Sequence, residues 1–169
     1  VTTGRQRIHG LFCGGTLSSE AQVVFLDQGV SVASNAPIPG AEAIGSETSH
    51  VLIDLGSDEY TRGRPHPMID PTVRDEELTK ALADPTLAVI LLDVVIGFGA
   101  HPDPAGTIIR VVAAAGTERP IVVASVTGTD NDPQDRRKQM AKLVDGGIMV
   151  ATTNADAATL ALSCLVRDD

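Results

Sequence analysis

The densest group of side chains that could do chemistry lies in residues 60–71, which read YTRGRPHPMIDP. The three prolines restrict the backbone and remove amide donors, so we predict a stiff loop without helix or central strand. Arg62 and Arg64 could hold a carboxylate or a phosphate through paired hydrogen bonds, with Arg64 in a catalytic position. The alternative is a surface loop whose arginines pair with Asp58 and Glu59. The segment therefore predicts an anion site beside a histidine.

Two histidines, His66 and His101, are each followed by proline and lie at the ends of successive predicted strands. Either imidazole could act as a general acid or base, or as a nucleophile that accepts a phosphoryl group. Each could instead only bond a loop carbonyl. His9 lies within a strand and His50 at a strand start on the opposite edge, so we interpret both as structural. His66 and His101 are the candidate catalytic imidazoles.

A glycine pair, Gly14 and Gly15, follows the first predicted strand. Glycine lets a ligand approach the backbone closely, and the free amides at the start of the next helix attract negative charge. Thr16 is predicted to cap that helix. The alternative is a tight turn without a ligand, because short glycine motifs are common. In the functional interpretation, Gly14, Gly15 and Thr16 bind a phosphate or a carboxylate.

Two further strand ends carry residues that suit an anion. Thr127, Gly128 and Thr129 resemble a phosphate-binding turn, although threonine and glycine also form ordinary turns. Asn154 follows the last strand and is predicted to cap the last helix. The candidate anion ligands therefore include Gly128, Thr129 and Asn154.

Four aspartates are interpreted as structural. Asp70, Asp103 and Asp132 each precede a proline at a predicted helix start, where a carboxylate can accept free amides. Asp93 lies in a nearly apolar strand, and burial of its charge is costly unless it is paired or hydrogen-bonded. It either orients a loop or points towards a peripheral face. We expect these aspartates to organise loops rather than to react.

Apolar strands alternate with helical patterns five times, which is typical of βα units that build a parallel sheet. With right-handed crossovers, this predicts a flavodoxin-like three-layer α/β sandwich with five parallel strands in the order 2-1-3-4-5. Residues 30–39 are expected to be extended. The predicted strands are 5–12, 51–55, 87–96, 121–126 and 148–151. The helices are predicted to begin at Thr16, Thr72, Pro104, Pro133 and Asn154. The residues expected to face inward on the fourth helix are Met140, Leu143 and Val144.

Ligands of open α/β sheets bind beyond the carboxyl ends of the strands, where the strand order reverses. Here that point lies between strands one and three, so the glycine pair is central. The loops carrying His66 and His101 leave the sheet on either side of it, about 10 Å apart, since neighbouring strands are about 4.8 Å apart. The gap suits a phosphate or a carboxylate group.

The composition limits the function classes. The 169 residues are expected to form one domain, and the start at Val1 without methionine suggests an excised part of a longer protein. A net charge of −9 without a basic block argues against nucleic acid or an anionic membrane as partner. No apolar run could span a bilayer and no signal peptide is evident, so we expect a cytoplasmic protein. Cys13 and Cys164 form no metal-binding or disulfide pattern, and no metal site is predicted.

Four longer motifs occur in order along the chain: GLFCGGTLSSEA, LGSDEYTRGRPHPMIDP, DVVIGFGAHPDPAG and ASVTGTDNDPQ. Together they resemble the FdrA family, acyl-CoA-synthetase-like proteins related to the alpha subunit of succinyl-CoA synthetase. The resemblance runs from about Ile8 to the last helix. It implies the flavodoxin-like ligase domain of that superfamily, without the CoA-binding domain that precedes it there and without an ATP-grasp partner.

The resemblance implies that acyl-CoA forms through an acyl phosphate and a phosphorylated histidine. CoA and ATP or ADP would serve the full-length protein, the missing domains or subunits would be partners, and homo-oligomers are implied as possible. In the synthetase the histidine lies in a Gly-His-Ala-Gly turn after strand four, where this chain reads VTGTD at 126–130. A phosphohistidine would therefore need His66 or His101.

The leading hypothesis is a ligase-like catalytic domain that handles an acyl phosphate or a carboxylate. The resemblance implies a second enzyme hypothesis, because FdrA members are associated with purine and allantoin breakdown. This is a carbamoyltransferase subunit that acts on oxamate and carbamoyl phosphate. A third hypothesis is a non-catalytic binding or assembly module, since the sequence lacks domains that would bring CoA and nucleotide.

Overall fold

The structure is a computed structural model that describes residues 5–45 and 50–165. A parallel sheet lies between two layers of helices, which is the predicted flavodoxin-like α/β class. The strands are β1 (Arg7–Phe12), β2 (Ala33–Ser34), β3 (Glu42–Ala43), β4 (Val51–Asp54), β5 (Leu87–Val95), β6 (Ile121–Thr127) and β7 (Met149–Ala151). The helices are α1 (Gly15–Asp27), α2 (Asp58–Thr61), α3 (Thr72–Ala83), α4 (Pro104–Ala114), α5 (Arg136–Asp145) and α6 (Asn154–Ser163).

The strand order is β3-β2-β4-β1-β5-β6-β7, and the described strand pairs are parallel. Its part β4-β1-β5-β6-β7 is the predicted order 2-1-3-4-5, which is therefore confirmed. The predicted number of strands is wrong, because the sheet has seven strands rather than five. The two additional strands, β2 and β3, have two residues each, which is too short to show a hydrophobic period.

Two apolar clusters cover the two faces of the sheet. On one face, α3, α4 and α5 pack through side chains that include Leu78, Ile108 and Leu143. On the other face, α1 and α6 pack through Phe25 and Ala158. Helices therefore cover both faces of the central strand β5, and all of its residues except the last are buried.

The predicted starts of α3 at Thr72 and α4 at Pro104 are confirmed, although the N-cap of α3 is Pro71, so Asp70 is not its cap. The Asp70 carboxylate accepts the amide of Thr72 at 3.0 Å at the start of α3. The Asp103 carboxylate accepts the amide of Gly106 in the first turn of α4, where Pro104 occupies the first helical position. These aspartates organise loops, as expected.

The start of α5 was predicted wrongly. The helix begins at Arg136 and its N-cap is Asp135, which accepts the amide of Lys138, so Asp132 is not a cap. The inward orientation of Val144 is also wrong, because Val144 is 57% exposed whereas Leu143 is buried. Successive residues of a helix differ by about 100° in direction, so both cannot face the core.

The proline-rich segment 60–71 begins with two helical residues. α2 includes its first two residues, so the prediction that residues 60–71 lack helix is wrong for these two positions. The remaining residues up to the start of α3 form turns and loop. None of the helices in residues 5–45 and 50–165 has the length and apolar character of a bilayer-crossing segment.

Candidate functional site at the carboxyl edge of the sheet

A buried carboxylate fixes the turn after β1. Asp93, on β5, accepts the amide of Cys13 at 2.7 Å and the amide of Gly14 at 2.8 Å, one with each carboxylate oxygen. The Asp93 side chain is fully buried. Burial raises the pKa of Asp93, and the amide bonds and the Arg74 guanidinium oppose this rise only in part. Asp93 therefore orients the glycine turn, which is one of the two roles that the sequence left open.

A buried arginine lies under the same turn. Arg74, on α3, is 2% exposed and donates to the carbonyl of Asp93 at 3.4 Å and to the Cys13 sulfur at 3.6 Å. The sequence analysis missed it, although its spacing from Leu78 and Ala81 places all three on the buried face of α3. Burial raises the pKa of the Cys13 thiol to about 12. Cys13 is therefore a protonated thiol at neutral pH and not a nucleophile.

Helix α1 starts at this turn without a side-chain cap. Its N-cap is Gly14, whereas Thr16, the predicted cap, is the second residue of the helix and is exposed. That prediction is wrong. A Cβ at Gly14 would lie 3.2 Å from the Asp93 carboxylate, so the position leaves little room for a side chain. The first amides of α1 therefore have no side-chain acceptor from the cap residue, which leaves a positive helix end at this edge.

Asp54, the last residue of β4, brings a second carboxylate to the turn. Its Oδ1 accepts the amide of Gly56 at 2.8 Å. Its Oδ2 lies 2.9 Å from the point that a Cβ on Gly15 would occupy. Asn35 fixes the residue through two hydrogen bonds, one to the amide and one to the carbonyl of Asp54. The sequence analysis missed Asp54, and the only signal for it was a carboxylate at the polar end of an apolar strand.

His66 lies against the same strand end. A Cβ on Gly56 would be 2.8 Å from His66 Nε2, 2.9 Å from the Cys13 carbonyl and 3.1 Å from Asp54 Oδ1. These three atoms therefore converge on Gly56, beside the glycine turn, and leave no room for a side chain at that position. His66 Nδ1 accepts the amide of Met68 at 3.2 Å. A neutral ring whose Nδ1 accepts carries its proton on Nε2, so His66 presents a hydrogen-bond donor to the site.

His101 has the same local geometry but different neighbours. Its Nδ1 accepts the amide of Asp103 at 3.1 Å, so its Nε2 also carries the proton in the neutral ring. The imidazole interacts electrostatically with Asp70 and Asp75. The amide of His101 donates to the carbonyl of Met68 at 2.7 Å. The two histidine loops leave the sheet on either side of β1, as expected, and are in direct contact beyond the strand ends.

The structure separates the two arginines from His66. Arg62 and Arg64 are both exposed. Arg64 pairs with Glu76 at 3.9 Å rather than with the neighbouring Asp58 or Glu59. It lines a cavity of about 310 Å³ with Pro65, Asp70, Thr72, Val73 and Glu76. Because acidic side chains already surround its guanidinium, an anionic ligand of Arg64 would compete with them, and the catalytic assignment of Arg64 stays a prediction.

The turn after β6 is occupied by the chain's own carboxylate. Asp132 Oδ2 accepts the amide of Thr129 at 2.6 Å and its hydroxyl at 3.1 Å. Gly128 has a φ of 147°, and a Cβ there would contact Ile96 and Asp132. The amide and hydroxyl of Thr129 are therefore engaged by the chain's own carboxylate, and the binding of an external anion by Gly128 and Thr129 stays a prediction.

Asn154 joins two helices rather than capping one. The N-cap of α6 is Thr153, which accepts the amide of Asp156, so the predicted cap role of Asn154 is wrong. Asn154 Nδ2 donates to the carbonyl of Leu17 at 2.9 Å and to Glu20 at 2.8 Å. Asn154 thus connects the start of α6 to the first turns of α1, next to the glycine turn.

An apolar cavity of about 300 Å³ lies beside His66. Its lining residues are His66, Met68, Ile69, Phe98, Gly99 and Ala100. No group of three or more His, Cys, Asp or Glu side chains in residues 5–45 and 50–165 is arranged to hold a metal ion. The edge therefore combines a helix start, a histidine N–H donor and a carboxylate with an apolar wall, an arrangement that can hold and polarise a carbonyl compound.

Comparison with protein families shows what the chain is similar to. A family model described as CoA-ligase matches residues 11–164. The uncharacterized protein YahF of Escherichia coli (strain K12) is 39% identical over 171 residues, which cover 96% of this chain and 33% of YahF. The chain therefore spans about a third of the length of this relative.

Two solved structures share the fold. PH0766 from Pyrococcus horikoshii OT3 is 15% identical with a TM-score of 0.62, over 96% of this chain and 35% of that chain. The dinucleotide forming acetyl-coenzyme A synthetase 1 of Ca. Korarchaeum cryptofilum, in its apo form, is 16% identical with a TM-score of 0.59. The match covers 94% of this chain and 33% of that chain. At these identities the similarity concerns the fold.

Proposed function

The chain belongs to the CoA-ligase family, and from that membership we propose that it holds the acyl group in the formation or cleavage of an acyl-CoA. CoA is the proposed acyl acceptor. ATP or ADP would act in other parts of the protein or its partners, since this chain spans about a third of its relative. The four motifs of the sequence support the finer proposal that the chain lies in the FdrA branch of this family.

The convergence at Gly56 is the observation that carries the proposal. His66 Nε2 and Asp54 Oδ1 both pack around Gly56, 2.8 and 3.1 Å from the position that a Cβ there would take, beside the uncapped start of α1. A donor placed there can bond the carbonyl oxygen of an acyl phosphate and stabilise the negative charge that develops when a thiol attacks. His66 is therefore the proposed catalytic donor.

The reaction at this site would be thiol attack on an acyl phosphate. The CoA sulfur bonds to the acyl carbon, the bond from that carbon to the phosphate oxygen breaks, and phosphate leaves. Asp54 is the proposed acceptor of the thiol proton. The amides at the start of α1 attract the phosphate, whereas the charge of Asp54 at the same helix end opposes it. This balance favours weak binding and ready release of the phosphate.

The histidine geometry does not favour a phosphohistidine. Phosphoryl transfer to a ring nitrogen needs a lone pair, and in His66 and His101 the Nδ1 lone pair already accepts a main-chain amide. Nε2 carries the proton in that tautomer. Phosphorylation at Nε2 would require the proton to move to Nδ1 and would leave the amide of Met68 or Asp103 without its acceptor. We propose direct transfer between acyl phosphate and thiol at this site.

Binding measurements on the chain test this proposal. We expect acetyl phosphate and CoA to bind in isothermal titration calorimetry, with NMR shifts in the amides of Gly15, Thr16 and Leu17. His66→Ala should weaken acetyl phosphate binding about fivefold, the size of a lost hydrogen bond to a neutral carbonyl oxygen. The control Lys80→Ala removes an exposed positive charge on α3 and should leave binding unchanged. If neither acetyl phosphate nor CoA binds, the proposed function is wrong.

A further inference from the structure

Phe98 is fully exposed on an ordered loop. Its side chain is 100% exposed, in a chain with only three phenylalanines, one tyrosine and no tryptophan. The loop between β5 and α4 is fixed by Gln134, which is 6% exposed. Gln134 accepts the Gly97 amide at 3.1 Å and donates to the carbonyls of Gly97 at 2.9 Å and His101 at 3.2 Å. The loop therefore has a fixed backbone that presents the Phe98 side chain to solvent.

A second loop supplies the facing apolar wall. Ile69 is 57% exposed, and Met68 lies beside it. The bond from the His101 amide to the Met68 carbonyl joins this loop to the Phe98 loop, so the two walls form one unit. The cavity between them has a volume of about 300 Å³, at the lower end of the range for small-molecule sites.

The lining of this cavity is polar at one place only. Of its six described residues, His66 is the one with a polar side chain, and none is a lysine or an arginine. The nearest arginine of the same loop, Arg64, lines the neighbouring cavity with Asp70 and Glu76. A ligand here can place one polar group at the histidine end, whereas a second charged group would meet no basic side chain in the lining.

We propose that this cavity binds the alkyl chain of a monocarboxylic acyl group, with the carbonyl end towards His66. The inference rests on the proposed function and names its substrate class, which is an aliphatic monocarboxylate rather than a dicarboxylate. Phe98, Met68 and Ile69 cover the chain. The net charge of −9 also favours a monocarboxylate over a dicarboxylate, because it repels a second carboxylate.

The size of the patch fits a small molecule better than a protein partner. A stable protein interface buries about 800 Å² on each side, which needs some 20 residues. Here the exposed large apolar side chains are two, Phe98 and Ile69, and the same stretch of loop carries the exposed charges of Arg62 and Arg64. An ordered aromatic ring beside a cavity of this volume is the arrangement expected of a preformed ligand pocket.

Calorimetry with butyrate, hexanoate and adipate tests the inference. Hexanoate and adipate have the same six carbons and differ by one carboxylate. Each buried methylene contributes about a fourfold change in affinity, so hexanoate, with two more methylenes, should bind about fifteenfold more tightly than butyrate. Adipate should bind at least about tenfold more weakly than hexanoate, because its second carboxylate would lose water without gaining a partner.

Two variants locate the binding. Phe98→Ser and Ile69→Ser should each weaken hexanoate binding by about fivefold or more, since each removes an apolar contact of about 1 kcal/mol. Val144→Ser is the matched control, because Val144 is equally exposed to Ile69 but lies on α5 away from the cavity. All three side chains are exposed, so the variants should fold.

The outcomes separate this inference from the proposed function. If adipate binds as well as hexanoate, or if Phe98→Ser and Val144→Ser have the same effect, the substrate class is wrong even when acetyl phosphate and CoA bind. If hexanoate binds with the expected dependence on Phe98 but acetyl phosphate and CoA do not bind, the pocket stands and the ligase proposal fails. A Phe98 surface that instead serves a protein partner would show no change in hexanoate affinity on substitution.

Discussion

Arg74 donates a hydrogen bond to the main-chain carbonyl of Asp93 at 3.4 Å, and both side chains are buried. This bond connects helix α3 to strand β5, whose Asp93 side chain fixes the glycine turn. The positive charge of Arg74 also favours the ionised form of Asp93 and of Cys13, against the effect of burial. The position of the turn therefore depends on a buried charge contributed by α3.

Removing that charge should destabilise the fold. Arg74→Leu removes the donor to the buried main-chain carbonyl of Asp93, and we expect a loss of about 1–3 kcal/mol in the free energy of unfolding. Urea unfolding followed by circular dichroism measures the change. Lys80→Ala, on the exposed face of the same helix, should change stability by less than about 0.5 kcal/mol. A loss equally small in Arg74→Leu would contradict the role assigned to this charge.

Asp93 should give the protein a particular pH dependence. Burial raises its pKa in the folded state, so the folded protein retains a proton that the unfolded chain has released. Its contribution to stability is full below its ordinary value of 3.8 and declines as the pH rises towards the raised value. Asp93→Asn does not titrate. The stability of the wild type relative to this variant should therefore fall as the pH rises above about 4.

Denaturant unfolding of both proteins over this pH range tests the prediction. Only the difference between the two curves is informative, because aspartates with lowered pKa values, such as Asp103 and Asp135, contribute the opposite slope to both. A difference that stays constant or grows with pH would show that Asp93 is ionised in the folded state with no raised pKa.

The two candidate histidines should be Nε2–H tautomers at a pH where they are neutral. Long-range proton–nitrogen NMR spectra distinguish the tautomers directly, and we expect Nδ1 of His66 and of His101 to be the unprotonated nitrogen. With phosphoramidate as a chemical phosphoryl donor, His66 should be phosphorylated at least about tenfold more slowly in the folded protein than in urea. In the folded protein the hydrogen bond from the Met68 amide to His66 Nδ1 must break first. Equal rates, or an Nδ1–H signal, would restore the phosphohistidine hypothesis.

Gly56→Ala should displace His66 and Asp54 together. The new methyl group would lie 2.8 Å from His66 Nε2 and 2.9 Å from the Cys13 carbonyl oxygen. Because that oxygen belongs to the main chain, it cannot shift without a change in the backbone. We expect a stability loss of about 1–3 kcal/mol and a loss of acetyl phosphate affinity of about tenfold. Gly146→Ala is a matched control, because its methyl group would meet the flexible side chain of Ile109 at the far end of α5. It should cost stability without a change in affinity.

The sequence predicted the main part of the fold because the long strands leave a clear pattern. β5 is apolar along its whole length and α3 begins at an Asp-Pro pair, and both were located within one or two residues. β2 and β3 could not be predicted, since two residues show no period. The start of α5 was misplaced because an Asp-Pro pair at 132–133 closes a turn, and Asp135, with a φ of 59°, caps the helix instead.

The site was predicted less completely than the fold. The glycine turn, His66 and Asp93 were recognised because each residue type is unusual where it occurs. Asp54 and Arg74 were missed, since their importance comes from contacts with residues far away in the chain. Arg64 had the expected chemistry, but its position next to Glu76 depends on how α3 packs, which local sequence does not reveal.

The bond between Asp132 and Thr129 has a consequence for anion selectivity. A carboxylate attached to the same turn is present at a high effective concentration, so free phosphate or acyl phosphate at millimolar levels cannot displace it. The amide and hydroxyl of Thr129 are thus already bonded by Asp132, whereas the N-cap of α1 supplies no side-chain acceptor. A change as small as Asp132→Ser would release the Thr129 amide and could create a second phosphate site in the same domain.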